Sequence, residues 1–213
     1  MEKLKSLTAE ELFFLGRLIN GPYIDYAYVA AMDDIQHAYN SHEQKNMMSL
    51  QKKGLVFENF LGETSLMEKG NDYRPIFFGK DEGRLEICGS SGEMKLIDIR
   101  FHFLESDGII TMMHGKDIDI WSIKKDELET VLRGMMNLPQ NENFSSKDRT
   151  VTIENADKVY VVTFGSVSGK AGRIVLYEKD GTLFDMKDEN NPDIISSDNA
   201  IESVIKLFTE EVK

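Results

Sequence analysis

Apolar positions in the second half of this chain recur in two matching helical stripes. Leu128, Val131, Leu132 and Met135 fall at i, i+3, i+4 and i+7, and Ile201, Val204, Ile205 and Phe208 repeat that register 73 residues later. Each stripe follows a run of short alternating segments with turn residues between them. The pattern predicts two copies of one unit, residues 84–137 and 149–213, each an antiparallel β-meander closed by an amphipathic helix.

In the first copy, strands are expected near 84–88, 94–104, 109–114 and 118–123. Ser90-Ser91-Gly92, Ser106-Asp107-Gly108 and Gly115-Lys116-Asp117 provide the turns. The second copy predicts strands near 149–153, 158–165, 173–178 and 182–186, with turns at Asn155-Ala156-Asp157, Gly165–Gly172 and Lys179-Asp180-Gly181. Alternation from Ile97 to Phe103 puts Ile97, Ile99, Phe101 and Phe103 on the face that takes a closing helix. Asp98, Arg100 and His102 then form a solvated polar row. Pro139–Lys147 and Lys187–Ser197, rich in Asn, Asp and Ser, read as loops.

The first 70 residues follow a different pattern. Thr8 with Glu11 three residues on is a capping box, and Leu12, Leu15, Leu18 and Ile19 carry a helix that stops at Asn20-Gly21-Pro22. A second helix is expected over Tyr23–Tyr39. A third, capped by Ser41, runs through Met47 and Leu50 to Lys52-Lys53-Gly54. Leu55-Val56-Phe57 and Thr64-Ser65-Leu66 then read as a hairpin around Leu61-Gly62-Glu63. Three helices and a hairpin is the order of a winged helix. Residues 71–83 link the halves, with Ile76-Phe77-Phe78 as a short strand. The fold class is therefore α+β, divided as a helical winged-helix-like region at 1–70 and two β-meander-plus-helix repeats at 71–138 and 139–213.

A chain of 213 residues with 41% hydrophobic content can bury a sizeable core. Its formal charge of −12 argues against a phosphate-binding surface and against anionic lipid. Cys88 is the only cysteine, so no internal disulfide forms, and its strand-like surroundings suggest a small buried side chain in a reducing cytoplasm. Met1–Leu12 lacks an uninterrupted apolar stretch and reads as neither a signal peptide nor a membrane span.

Catalytic and ligand motifs fail on spacing. Gly165-Ser166-Val167-Ser168-Gly169-Lys170-Ala171-Gly172 has three residues between the first two glycines where a phosphate loop needs four, and Ala171 stands where a hydroxyl should hold magnesium. His37, His42, His102 and His114 make no i, i+4 pair, so no metal is expected. Gly89-Ser90-Ser91-Gly92 is one residue short of a nucleophile elbow. The reading is of a non-enzyme without cofactor.

Protein contact is the alternative to chemistry. Lys45, Lys52 and Lys53 on the third helix are offset by Glu43, and the wing carries Glu58 and Glu63, the wrong sign for a DNA backbone. Phe60 and Leu61 at the wing, and Met112 and Met113 among the adjacent methionine pairs, are the candidate partner-binding residues. Adjacent methionines on one element cannot both face the same core.

The opening Leu7-Thr8-Ala9-Glu10-Glu11-Leu12-Phe13-Phe14-Leu15 with Asn20-Gly21-Pro22, ahead of a pseudo-symmetric β region and a final helix, resembles the EspG-like chaperones of type VII (ESX, WXG100-type) secretion. That resemblance implies a cytoplasmic chaperone or adaptor that binds a helical secretion substrate, without catalytic residues, nucleic acid or stable membrane association. The alternative is a winged-helix transcriptional regulator whose C-terminal repeats sense a ligand.

Overall fold

The computed structural model describes residues 1–32, 43–90, 95–140, 151–187 and 192–209. It is an α+β fold built on antiparallel strands. Two compact units interleave along the chain: Met1–Lys80 with His102–Lys125, and Asp81–Phe101 with Asp126–Lys213.

The first unit starts with two short strands, β1 (Glu2–Lys3) and β2 (Leu7–Thr8), and helix α1 (Ala9–Leu18). The capping box forms as expected: the Glu11 amide donates to Thr8 Oγ1 and the Thr8 amide donates to Glu11 Oε2. At the other end Asn20 takes the left-handed conformation, and the Gly21 amide donates to the Gly16 carbonyl, a Schellman closure. Asparagine adopts that conformation more readily than other side chains, so Asn20, one residue ahead of Gly21, supplies it.

Helix α2 covers Tyr26–Ala30, capped by the Asp25 carboxylate on the Ala27 amide, and α3 covers Glu43–Lys53. The expected end of the second helix, the Ser41 cap, His37 and His42 lie outside the described residues. Strands β3 (Val56–Glu58) and β4 (Thr64–Leu66) form the predicted hairpin. The expected strand at Ile76-Phe77-Phe78 is instead helix α4 (Arg74–Phe78), because Pro75 sits in its first turn, where its missing amide costs nothing. Phe77 is fully buried over Gly16 and Gly21, where an added Cβ would come within 2.7 and 2.6 Å of its side chain. This close approach fixes α4 on α1.

Strands β7 (Asp107–His114) and β8 (Asp117–Lys124) pair with each other, and β1 and β2 both pair with β8. Leu7, Leu12, Leu15, Leu50, Tyr73, Ile109, Ile118 and Ile120 belong to one core that joins this sheet to the helices. Strand β6 (Lys95–Leu104) passes through both units, changing from the second to the first between Phe101 and His102.

In the second unit, β5 (Asp81–Cys88), β9 (Lys158–Ser166), β10 (Ala171–Lys179), β11 (Thr182–Asp185) and β12 (Asp193–Ile194) pair in that order, all antiparallel. Helices α5 (Leu128–Met136) and α6 (Ser197–Thr209) belong to the same unit. Phe208 of α6 packs on Phe101 and Phe164 with ring centroids 5.4 and 5.7 Å away, so the apolar face of β6 does take the closing helix. Gly83 makes room for it, since a Cβ there would lie 2.7 Å from Phe208 Cζ. The paired stripes do not bury identical positions: α5 buries Leu128, Leu132 and Met136, whereas α6 buries Ile201, Val204 and Phe208.

Three further expectations change. Residues 151–153 form no strand and lead into a turn closed by Asn155 and Ala156 amides on the Thr152 carbonyl; residues 149 and 150 lie outside the described segments. The segment expected as a loop before α6 contains β12. Arg100 and His102, expected in a solvated row, are buried. Around His102 the reason is α2: the buried Tyr28 hydroxyl lies 2.8 Å from His102 Nε2 and 2.6 Å from Thr111 Oγ1, covering that face of the strand. A buried polar group is tolerated when its hydrogen bonds are made.

Candidate protein-docking surface

The β3–β4 hairpin ends in a three-residue turn, Phe60-Leu61-Gly62. The Gly62 amide donates to the Asn59 carbonyl and the Asn59 amide to the Glu63 carbonyl, while Gly62 takes φ +80°. Asn59 also braces the turn from inside, its Oδ1 accepting from the Leu61 and Glu63 amides at 2.9 Å and its Nδ2 donating to Glu63 Oε2. Phe60 and Leu61 are thereby held outward with 96% and 68% of their surfaces exposed. Phe57, on the same hairpin, is exposed as well. Glu58 and Glu63 flank the tip, and Gln51 Nε2 donates to Glu58 Oε2.

Single exposed apolar residues are ordinary; here two consecutive ones sit on a turn whose backbone is already ordered by hydrogen bonds. Met113 packs against the first unit's core and Met112, its neighbour on β7, points to the opposite face; both are half-buried. The four candidate residues thus occupy two separate elements. Phe57 was not singled out from sequence, because its alternation with Val56 shows only when the strand's register is known.

On the helix next to the wing Lys45 and Lys52 are exposed, whereas Lys53 is drawn inward. Lys53 Nζ donates to Glu11 Oε2 at 2.5 Å and to the Ser6 carbonyl at 2.8 Å, and Ser49 Oγ donates to Glu11 Oε1. One of the three lysines that a recognition helix would use is therefore committed to the fold.

A second feature of the first unit is an open cleft of about 550 Å³ at the C-terminal end of α1. It is lined by Phe13, Arg17, Asn20, Tyr23, Ile24 and Phe77 together with Gly16 and Gly21, a mixed polar and apolar set. The second unit holds a cleft of about 350 Å³ between the end of α5, β11, β12 and the start of α6. Its charged groups pair with one another, Arg133 Nη1 donating to Asp198 Oδ1 at 2.7 Å, and Ser197 Oγ donates to the Pro139 carbonyl.

The remaining titratable clusters are structural in their geometry. Arg84 makes a two-pronged contact with Asp98, Lys95 bridges Asp98 and Glu86, and Arg100 lies 3.9 Å from Asp98. Burial alone would raise the Asp98 carboxyl; the hydrogen bonds from Arg84 and Lys95 and the charges of Arg100 and Arg84 outweigh it and hold its pKa at about 2. The Tyr160 hydroxyl is pushed upward by burial and by donating to Glu178 Oε2 at 2.6 Å. Among the described residues, no group of three or more His, Cys, Asp or Glu side chains is placed to hold a metal. The glycine-rich segment is a hairpin turn: the Ser166 amide donates to the Lys170 carbonyl, and Lys170 Nζ sits over the Phe164 ring at 4.8 Å. Cys88 is half-buried beside a small cluster formed by Val151, Ala156, Val159 and Phe184. No described helix is long and apolar enough to cross a membrane.

The sequence matches no known family and no curated protein. In three dimensions the chain is similar to the Mycobacterium tuberculosis type VII secretion system chaperone EspG5, solved in complex with a PE25–PPE41 dimer. The TM-score is 0.59 at 8% sequence identity, over 96% of this chain and 95% of that one. The two share a fold.

Proposed function

We propose that this chain is a non-enzymatic cytoplasmic chaperone or adaptor that binds a helical substrate of type VII secretion. The observation that carries the reading is the fold likeness, which extends over nearly the full length of both chains. The braced Phe60–Leu61 turn supports it as a contact surface, with Met112 and Met113 as further candidates. Apolar anchors of this kind supply binding energy, while charges such as Glu58 and Glu63 discriminate among partners.

The test is co-purification of the tagged chain with exported proteins encoded beside its gene, together with their steady-state level and secretion in a deletion strain. The expected result is a stoichiometric complex and loss of the exported protein in the deletion. No complex, with abundance and secretion unchanged, would overturn the reading.

The hairpin after α3 keeps a winged-helix regulator as the second reading. Its weakness is charge, since Lys53 is turned onto Glu11 and the wing is acidic. Because residues 102–125 belong to the same compact unit as the helices, the full chain is the right material for a DNA-binding assay. Affinity that falls steeply with salt would favour the regulator.

A further inference from the structure

We infer that Asn20–Gly21 is a modification site, a deamidation point that the fold keeps closed and that makes an opening of the α1–α4 joint permanent. Asn20 is the chain's only asparagine followed by glycine. In such a pair the second residue has no side chain to hinder attack on the asparagine carboxamide. The reaction begins when the Gly21 amide nitrogen gives its proton to solvent base and bonds to Cγ of Asn20. The side-chain nitrogen takes up a proton and leaves as ammonia, and a five-membered succinimide remains. Water then opens either ring carbonyl, giving aspartate or isoaspartate, and no other reactant is needed.

The folded chain withholds the nucleophile. The Gly21 N–H donates to the Gly16 carbonyl at 2.9 Å, closing the end of α1, and so keeps its proton. On either side the backbone is tied, the Asn20 N–H donating to the Arg17 carbonyl at 3.1 Å and the Tyr23 N–H to the Phe77 carbonyl at 3.2 Å. Pro22, with its fixed φ, lies between. Gly21 also sits so close to α4 that an added Cβ would come within 2.6 Å of the Phe77 Cβ. Bringing the Gly21 nitrogen onto Cγ requires this peptide to turn, and the hydrogen bond and the Phe77 contact both oppose it. Asn20 itself is exposed, so base and water reach it once the backbone loosens.

The two products differ in consequence. Aspartate suits the left-handed φ of +53° that Asn20 holds. Isoaspartate inserts a methylene into the main chain ahead of Gly21, which displaces the Gly21 amide from the Gly16 carbonyl and finds no space against Phe77. A chain altered in that way cannot remake the joint. The inference is independent of the chaperone reading, because purified chain alone decides it.

The experiment incubates the full chain in mildly alkaline buffer with and without guanidinium chloride, and follows aspartate and isoaspartate at position 20 by peptide mapping and mass spectrometry. Conversion should be at least about tenfold slower in the native chain, since the joint must open first. After timed exposure to denaturant and dilution, the fraction that refolds should fall as isoaspartate at position 20 accumulates. Asn20→Gly cannot cyclise and takes the same φ freely, so it should refold fully after equal exposure. Freshly prepared Asn20→Asp should melt with the unaltered chain, which places the damage in isoaspartate. Equal rates with and without denaturant, isoaspartate that leaves refolding intact, or an Asn20→Gly chain that loses refolding just as fast would each overturn the inference.

Discussion

Lys53 Nζ, at the C-terminal end of α3, lies 2.5 Å from Oε2 of Glu11 in the first turn of α1, and Glu11 is almost fully buried. The same carboxylate accepts the Thr8 amide and the Ser49 hydroxyl, so one side chain caps a helix and ties it to another. A buried carboxylate is tolerated only when its partners are in place.

Replacing Lys53 with Met should therefore lower the unfolding free energy by about 1–3 kcal/mol, because Glu11 keeps its burial and loses its cation. The doubly substituted Lys53→Met, Glu11→Leu chain should lose less than the two single variants summed. Urea denaturation of the four proteins measures the coupling.

The Tyr28 hydroxyl joins α2 to His102 and Thr111. Tyr28→Phe removes it with almost no change in volume and should cost about 1–3 kcal/mol. A loss below the error of denaturant melts would show that the contact carries no net stability.

Asp98 has a folded pKa of about 2, below the ordinary aspartate value of 3.8. A depressed carboxylate stabilises the fold fully above the unfolded pKa, and that contribution disappears as pH falls through the folded one. Between roughly pH 4 and pH 2 the unaltered chain should lose stability that Asp98→Asn has already lost at neutral pH. Thermal melts of both proteins across that window should converge.

Glycine substitutions should separate close approach from mere flexibility. A Cβ on Gly70 would lie 2.5 Å from the Leu55 carbonyl at the base of the hairpin, so Gly70→Ala should cost about 1–3 kcal/mol. Gly134, inside α5, has nothing within 4 Å of an added Cβ, and Gly134→Ala should stabilise by about 0.5–1 kcal/mol. Melting temperatures should move in opposite directions.

The division into 1–70 and two repeats at 71–138 and 139–213 stands as a proposal about the chain's construction. Its register pairs Leu132 with Ile205, yet Leu132 is fully buried and Ile205 only half-buried. Leu132→Ala should cost about 2–5 kcal/mol, and Ile205→Ala distinctly less. Equal losses measured by denaturation would indicate equivalent environments after all.

Local interactions explain what was readable in the sequence. The Thr8–Glu11 capping box, the stops at Asn20-Gly21 and Gly54, the wing hairpin, the strands from Asp81 to Lys124 and from Lys158 to Asp185, and both amphipathic helices follow from hydrogen bonds and apolar spacing within a few residues. The absence of metal and nucleophile spacings was equally a matter of local pattern. Phe60 and Leu61 could be named as candidates because turn chemistry placed them at a hairpin tip.

Tertiary structure decided what depends on residues far apart in the chain. Arg100 and His102 alternate like a solvated row, and their burial follows only once Tyr28, more than seventy residues earlier, reaches His102. Lys53 looks available for phosphate until Glu11 claims it. Phe77 in α4, read as a strand residue from its apolar neighbours, owes its place to Gly16 and Gly21, which leave space for its ring. Periodicity reports which faces are apolar; which surface covers each face is settled by long-range packing, because burial and hydrogen-bond satisfaction are properties of the assembled neighbours and not of the local sequence.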